Sequence, residues 1–145
     1  MIPEVLENTL GFNVYRVALL FRRELIRSLA EYNMTPEQWQ VMTTLWSTGQ
    51  PLNQSEIVRL ILKDKPTISR MIQRLERNGW IEKSASAEDG RVTFIQPSEK
   101  GWAIEEAVTK KLDLHFKEIL QSLGGPESRV LTDKLRHVRR ILGDY

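Results

Sequence analysis

A chain of 145 residues with 41% hydrophobic and 28% charged side chains has the length and balance of one globular domain, or of a compact domain with added helices, and not of a disordered segment. It has no cysteine, which closes disulfides, thiol redox switches and thiolate metal sites, and its two histidines, His115 and His137, lie 22 residues apart without ligand spacing. The formal charge of +2 is mild, no apolar run approaches the ~18 residues of a membrane span, and the start MIPEVLENTLGF lacks the charged region of a signal peptide, so a cytoplasmic location is expected and a nucleic-acid partner has to be argued from a local patch.

From about Glu4 to Glu31 the apolar residues Leu6, Leu10, Val14, Val17, Phe21, Leu25 and Leu29 recur every three or four positions, which predicts one long amphipathic helix. Thr35-Pro36-Glu37-Gln38 then supplies an N-cap, a first-turn proline and a capping-box glutamine. Trp39, Met42, Leu45 and Trp46 form the inner stripe of that second helix, and Gly49 and Pro51 end it. Asn53-Gln54-Ser55-Glu56 is a further capping-box start, for a short helix through Ile57, Leu60 and Ile61.

After a turn at Leu62 to Lys65 comes the stretch on which the rest of the chain depends, DKPTISRMIQRLERNG. Ile68, Met71, Ile72 and Leu75 fall at the i, i+3, i+4, i+7 spacing of a packed stripe. Arg70, Gln73 and Arg77 lie opposite, with Thr67, Ser69 and Arg74 on the flanks. Pro66 fits a first-turn position and Gly79 a left-handed stop, which places the helix at about 66–78. Between Lys63 and Arg77 five basic residues stand against two acidic ones, a local charge of +3, so the rest of the +2 chain sums to −1. A solvated charged face would have similar composition. The side chains themselves favour nucleic acid: Arg and Gln form paired hydrogen bonds to base edges, while Thr, Ser and Arg hold phosphates. Two short helices joined by a few residues, the second carrying the donors, spell helix-turn-helix.

Trp80-Ile81-Glu82-Lys83-Ser84 and Arg91-Val92-Thr93-Phe94-Ile95-Gln96 read as two strands around Ser86-Ala87-Glu88-Asp89-Gly90, whose Asp-Gly pair signals a turn: a hairpin in the place of a wing at about 81–96, with Arg91 near its tip. Pro97-Ser98-Glu99 caps a very long helix to about Leu123, with Ile104, Val108, Leu112, Ile119 and Leu123 on one stripe; ~25 residues at 1.5 Å each would reach ~37 Å. Gly124-Gly125-Pro126 breaks it, and Leu131, Leu135, Val138 and Leu142 mark a last helix from Glu127 to Leu142. The fold class expected is mainly α with a small β-hairpin, a winged helix-turn-helix at 35–97 flanked by helices at 1–34 and 98–145. Those flanking helices carry long apolar stripes and are expected to form a dimerisation bundle with a second copy, two-fold symmetry being the commonest assembly.

This order of elements resembles the MarR family of bacterial transcriptional regulators over nearly the whole chain. DGRVTFIQPSEKG is similar to the family's wing pattern of Asp-x-Arg, a hydrophobic strand, then Leu-Thr-x-x-Gly, with Asp89, Arg91, Ile95 and Gly101 falling on it. TPEQWQVM and IQRLERNGWIEK also resemble family text. Two places depart: Pro97 and Ser98 stand where Leu-Thr is usual, which bears on how the long helix begins, and Gly90 occupies a wing-tip place that often carries a second Arg.

The resemblance implies a homodimer that binds a pseudo-palindromic operator in double-stranded DNA, usually as a repressor, with no cofactor. On the residues here, Thr67, Ser69, Arg70 and Gln73 are assigned to groove and base-edge contact, Lys65 and Arg74 to phosphate, and Arg91 to the minor groove, where a narrow A·T-rich tract concentrates negative potential. Asp89 is assigned to support of the wing through Arg91, and Arg77 lies near the far end of the helix, with no assignment. The resemblance further implies a small, often aromatic or phenolic, effector bound between the dimer bundle and the DNA-binding part; Tyr15, Phe21, Trp39, Trp46 and Trp102 are the candidates for lining it, although aromatics at helical spacing are more often core. An enzyme would need a nucleophile with its base, paired carboxylates, a metal constellation or a phosphate loop, and none is legible. The alternative is a winged-helix module that binds protein and does not read DNA.

Overall fold

A computed structural model describes residues 1–145. The chain divides into two compact units, Met1–Val108 and Thr109–Tyr145.

The first unit begins with a short helix α1 (Glu4–Glu7) and the long α2 (Leu10–Leu29), which runs into a 3-10 turn at Ala30–Tyr32. The single N-terminal helix expected from the apolar spacing is therefore broken at Asn8 and Thr9. Three polar side chains compete there for backbone carbonyls: Asn8 Nδ2 donates to Glu4 O at 3.2 Å, Thr9 Oγ1 to Val5 O at 2.7 Å and Asn13 Nδ2 to Glu7 O at 2.7 Å. Periodicity of apolar residues is blind to such local competition.

Helix α3 (Pro36–Thr48) starts as expected, with Thr35 and Gln38 exchanging both capping-box hydrogen bonds, and stops at Gly49 in the left-handed region. Asn53 and Glu56 do the same for α4 (Gln54–Ile61). Between α4 and α5 (Lys65–Arg77), Leu62 caps α4 with φ +58° and is 73% exposed. A left-handed L-residue costs roughly 1–2 kcal/mol. Leu62→Gly removes that strain and sacrifices little burial, but adds freedom to the unfolded chain. A net gain of about 0.5–1 kcal/mol is expected, read as a rise of a few degrees in the thermal midpoint; a lower midpoint would mean that Leu62 makes a stabilising contact.

Helix α5 starts one residue before the predicted boundary, with Asp64 as its N-cap, and ends in a Schellman pair: Trp80 N–H donates to Leu75 O at 3.0 Å and Gly79 N–H to Glu76 O at 2.9 Å. Gly79, at φ +81°, makes the turn.

The wing strands are β2 (Ile81–Ala85) and β3 (Thr93–Pro97), paired antiparallel with Lys83 opposite Ile95. A third strand, β1 (Leu52–Asn53), pairs with the other edge of β3 through Leu52 opposite Ile95 and Asn53 opposite Phe94, giving the order β1-β3-β2. Two residues are too short for an alternating pattern, so nothing in the sequence announces this strand. The core under the sheet and helices consists of Leu29, Val41, Met42, Leu45, Ile57, Ile68, Leu75, Ile81 and Ile95, with Trp46 and Trp80 at its edges. Full burial of each large side chain stabilises by about 1.5–3 kcal/mol before entropy is counted.

The long helix expected after the wing is also divided, into α6 (Glu99–Ala103) and α7 (Glu105–Ile119), followed by a 3-10 turn at Gln121–Leu123. The break at Ile104 has a tertiary cause. The Gly101 carbonyl, which an uninterrupted helix would give to the Glu105 N–H, takes the indole N–H of Trp46 at 3.1 Å. Ser98 caps α6, its Oγ accepting the Gly101 N–H at 2.9 Å. In the second unit the last helix, α8 (Gly125–Ile141), has no buried residue and exposes Val130, Leu131, Leu135 and Ile141. Independently, α2 in the first unit exposes Leu10, Val14, Val17, Leu19, Leu20 and Ile26.

Candidate nucleic-acid interface

Helix α5 turns Ile68, Met71, Ile72 and Leu75 into the core, as their spacing predicts. The same rotation leaves Lys65, Arg70, Gln73, Arg74 and Arg77 exposed, with Thr67 and Ser69 half-buried on the flanks. Asp64 anchors the start: its Oδ1 accepts the Thr67 N–H at 2.8 Å. That bond and then the Thr67 hydroxyl hold the Asp64 carboxyl below the usual carboxylate range against desolvation, with a smaller pull from the Arg70 guanidinium. The cap is thus charged where the helix dipole favours an anion.

The outward side chains divide between two clefts. On the α3 side a cleft of about 290 Å³ is lined by Thr67, Arg70 and Arg74 together with Lys63, Arg22 and Glu37. Glu37 is occupied by Arg22, which donates to both carboxylate oxygens at 3.0 and 3.1 Å. On the wing side a second cleft is lined by Ser69 and Gln73 with Gln54, Lys83 and Thr93. Arg91, Val92 and Thr93 line a third cleft with Asn53, Gln54 and Ser55, at the start of α4. The result is a donor-rich crest with a groove on each side.

Arg22, Gln54, Ser55, Lys63 and Lys83 join this surface without having been singled out from the sequence. Lys63 was visible as part of the local charge. Arg22 was not: it lies on α2, and only the packing of α2 against α3 brings it to Glu37.

At the wing tip the support expected of Asp89 takes a backbone form. Its Oδ1 accepts the Arg91 N–H at 3.0 Å, its carbonyl accepts the Val92 N–H at 3.0 Å, and Ser86 N–H closes the hairpin on Val92 O at 2.8 Å. Arg91 and Val92 therefore belong to the turn and not to the strand expected there. Arg91 itself is exposed.

The five aromatics considered for an effector site do not share one environment. Trp46 is buried with its indole N–H satisfied; Phe21 and Trp39 are half-buried; Tyr15 and Trp102 are exposed. The clefts beside α5 and the wing are lined by other residues.

Residues 34–93, from the residue before the Thr35 cap into the second wing strand, match the model of the MarR family. The chain is 30% identical over 103 residues to the uncharacterised regulator YwoH of Bacillus subtilis, covering 71% of this chain and 73% of the relative. It is 26% identical to the regulator PecS of Dickeya dadantii over 130 residues, 88% of this chain and 74% of PecS. Among solved structures, that of reduced AbfR bound to DNA, a Staphylococcus epidermidis protein, superposes with a TM-score of 0.77 at 26% identity, covering 94% of each chain.

Proposed function

The chain belongs to the MarR family of transcriptional regulators, and on that premise we propose that it is a homodimeric repressor that reads a pseudo-palindromic DNA site with α5 and is released by a small aromatic or phenolic effector. The observation that carries this reading is the division of α5: one face is wholly core, and the other presents Arg70, Gln73 and Arg74 between two clefts that add Lys63, Ser69 and Lys83. A helix of this kind offers charge for phosphates and paired donors for base edges together. AbfR, related over the same elements, is solved on DNA. Arg91, whose backbone N–H is held by Asp89 and whose side chain is exposed, is assigned to the minor groove beside the major-groove site of α5.

The dimer rests on the apolar faces that α2 and α8 each leave exposed, since single chains rarely leave such stripes uncovered. A second copy presents the same surfaces and doubles the reading helices. The effector rests on the family resemblance alone. With no cysteine in the chain, its release does not run through thiol oxidation.

Selection of bound duplexes from a random DNA pool, with the enriched pool re-measured at two salt concentrations, tests the reading. The expected result is an inverted repeat with half-sites about one helical turn apart (~34–36 Å). Weak, steeply salt-dependent binding without enrichment would mean that the basic face holds phosphates and reads nothing, and would favour the protein-binding module.

A further inference from the structure

The last turn of α5 is fastened by groups that sit away from its outward face. The Schellman bonds leave the carbonyls of Asn78 and Gly79 without helical partners, and both are taken from across the unit: Lys100 Nζ donates to Asn78 O at 3.0 Å, and Ser98 Oγ donates to Gly79 O. The Lys100 ammonium also lies 4.4 Å from the centroid of the Trp80 ring. It is therefore a cation at the negative end of the α5 dipole and over an aromatic face at once.

On the opposite side the same short segment holds the tail of α2. Asn78 Nδ2 donates to Asn33 O at 3.2 Å, and Trp80 Nε1 donates to Tyr32 O at 3.2 Å. Asn33 is itself left-handed, at φ +49°, where the chain turns from α2 into α3. Two consecutive carbonyls at the end of the 3-10 turn that follows α2 are thus tied to two of the residues that close α5. Lys100, from α6, closes the tie by contacting both of those residues.

We propose that Lys100, Asn78 and Trp80 form a positioning latch that fixes the pitch of α5 against the tail of α2, so that discrimination of the operator depends on Lys100 although its ammonium is spent on Asn78 and Trp80 and not on DNA. This rests on the reading of α5 as the DNA-reading helix. Lys100 is a positioning residue: it lets α5 present Arg70 and Gln73 at one angle, and its loss lets the last turn swing while the donors themselves remain.

The test uses the full chain with Lys100→Met, which keeps an aliphatic stem over Trp80, Lys100→Arg, which restores the cation, and Asn78→Ala, which removes the bond to Asn33. Each is measured for binding to the selected operator and to an unrelated duplex at two salt concentrations, and for amide hydrogen exchange along α5. For Lys100→Met, operator binding should weaken by roughly tenfold, the combined scale of a helix-terminal cation and a ring contact. Binding to the unrelated duplex and the salt slope should stay unchanged, and exchange should quicken only at Asn78, Gly79 and Trp80. Lys100→Arg should restore both readouts, and Asn78→Ala should reproduce the loss.

Equal weakening on both duplexes with a smaller salt slope would make Lys100 a phosphate contact and overturn the latch; so would faster exchange spread over the whole unit, or no change in either readout. If the unaltered chain fails to discriminate any operator while exchange still quickens locally in Lys100→Met, the reading of α5 falls and the mechanical tie stands.

Discussion

A Gly101→Ala chain is expected to lose about 3 kcal/mol or more of stability and to melt on the order of 10 °C or more below the unaltered protein. A Cβ at Gly101 would lie 2.1 Å from the Trp80 carbonyl oxygen and 3.1 Å from its carbon, both backbone atoms, and 3.2 Å from Met42 Cε. The methionine end is the flexible terminus of a side chain and can shift; the carbonyl is backbone and cannot yield so readily. It already accepts the Ser98 N–H at 3.0 Å, and the Gly101 carbonyl holds the Trp46 indole at 3.1 Å, so separation of α6 from the start of the wing breaks bonds on both sides of the glycine. Total stability in domains of this size is only ~5–15 kcal/mol, so one clash of this kind removes a large fraction of it. A denaturant or thermal melt within two or three degrees of the unaltered chain would show that α6 does not press on Trp80 as described.

Gly101 also illustrates what the sequence makes legible. Its place in the wing-and-helix pattern was visible, but the reason for a glycine there is a close approach to Trp80, 21 residues earlier, that no spacing announces. Helix starts were legible wherever a local side chain closes them, as at Thr35 and Asn53. The inward face of α5 was legible because burial imposes a period on Ile68, Met71, Ile72 and Leu75. Breaks made by tertiary competition were not. The Trp46 indole on the Gly101 carbonyl interrupts what the apolar stripe reads as one long helix, and the two-residue strand Leu52–Asn53 exists only because β3 is there to pair with it. The donors of α5 could be assigned from the helical wheel, but Arg22 and Lys83, which complete its two clefts, come from other elements.

Arg70→Ala and Arg74→Ala are expected to weaken DNA binding in different ways. Both side chains are exposed on α5, four residues apart, and both open to the cleft on the α3 side. Arg70 sits at the centre of the outward face, with a long contact to Thr67 Oγ1 at 3.5 Å and the Asp64 carboxylate near enough to feel its charge, so its exposed guanidinium is available for a paired bond to a base edge. Arg74 lies one turn further on, between the clefts that contain Thr35 and Gln38, the first turn of α3, where a phosphate backbone would be held beside the groove. Replacement of Arg70 should cost roughly 1–3 kcal/mol on the selected operator and relax preference at one base position in each half-site, with little effect on unrelated DNA. Replacement of Arg74 should weaken all sequences alike and lower the salt slope by about one. Titrations of both variants on operator and unrelated duplex, each at several salt concentrations, separate the two outcomes. If the two variants exchange these signatures, α5 enters the groove along its Arg74 side and the base-reading assignment moves with it; if neither changes operator binding, α5 is not the reader, and its basic face serves another partner.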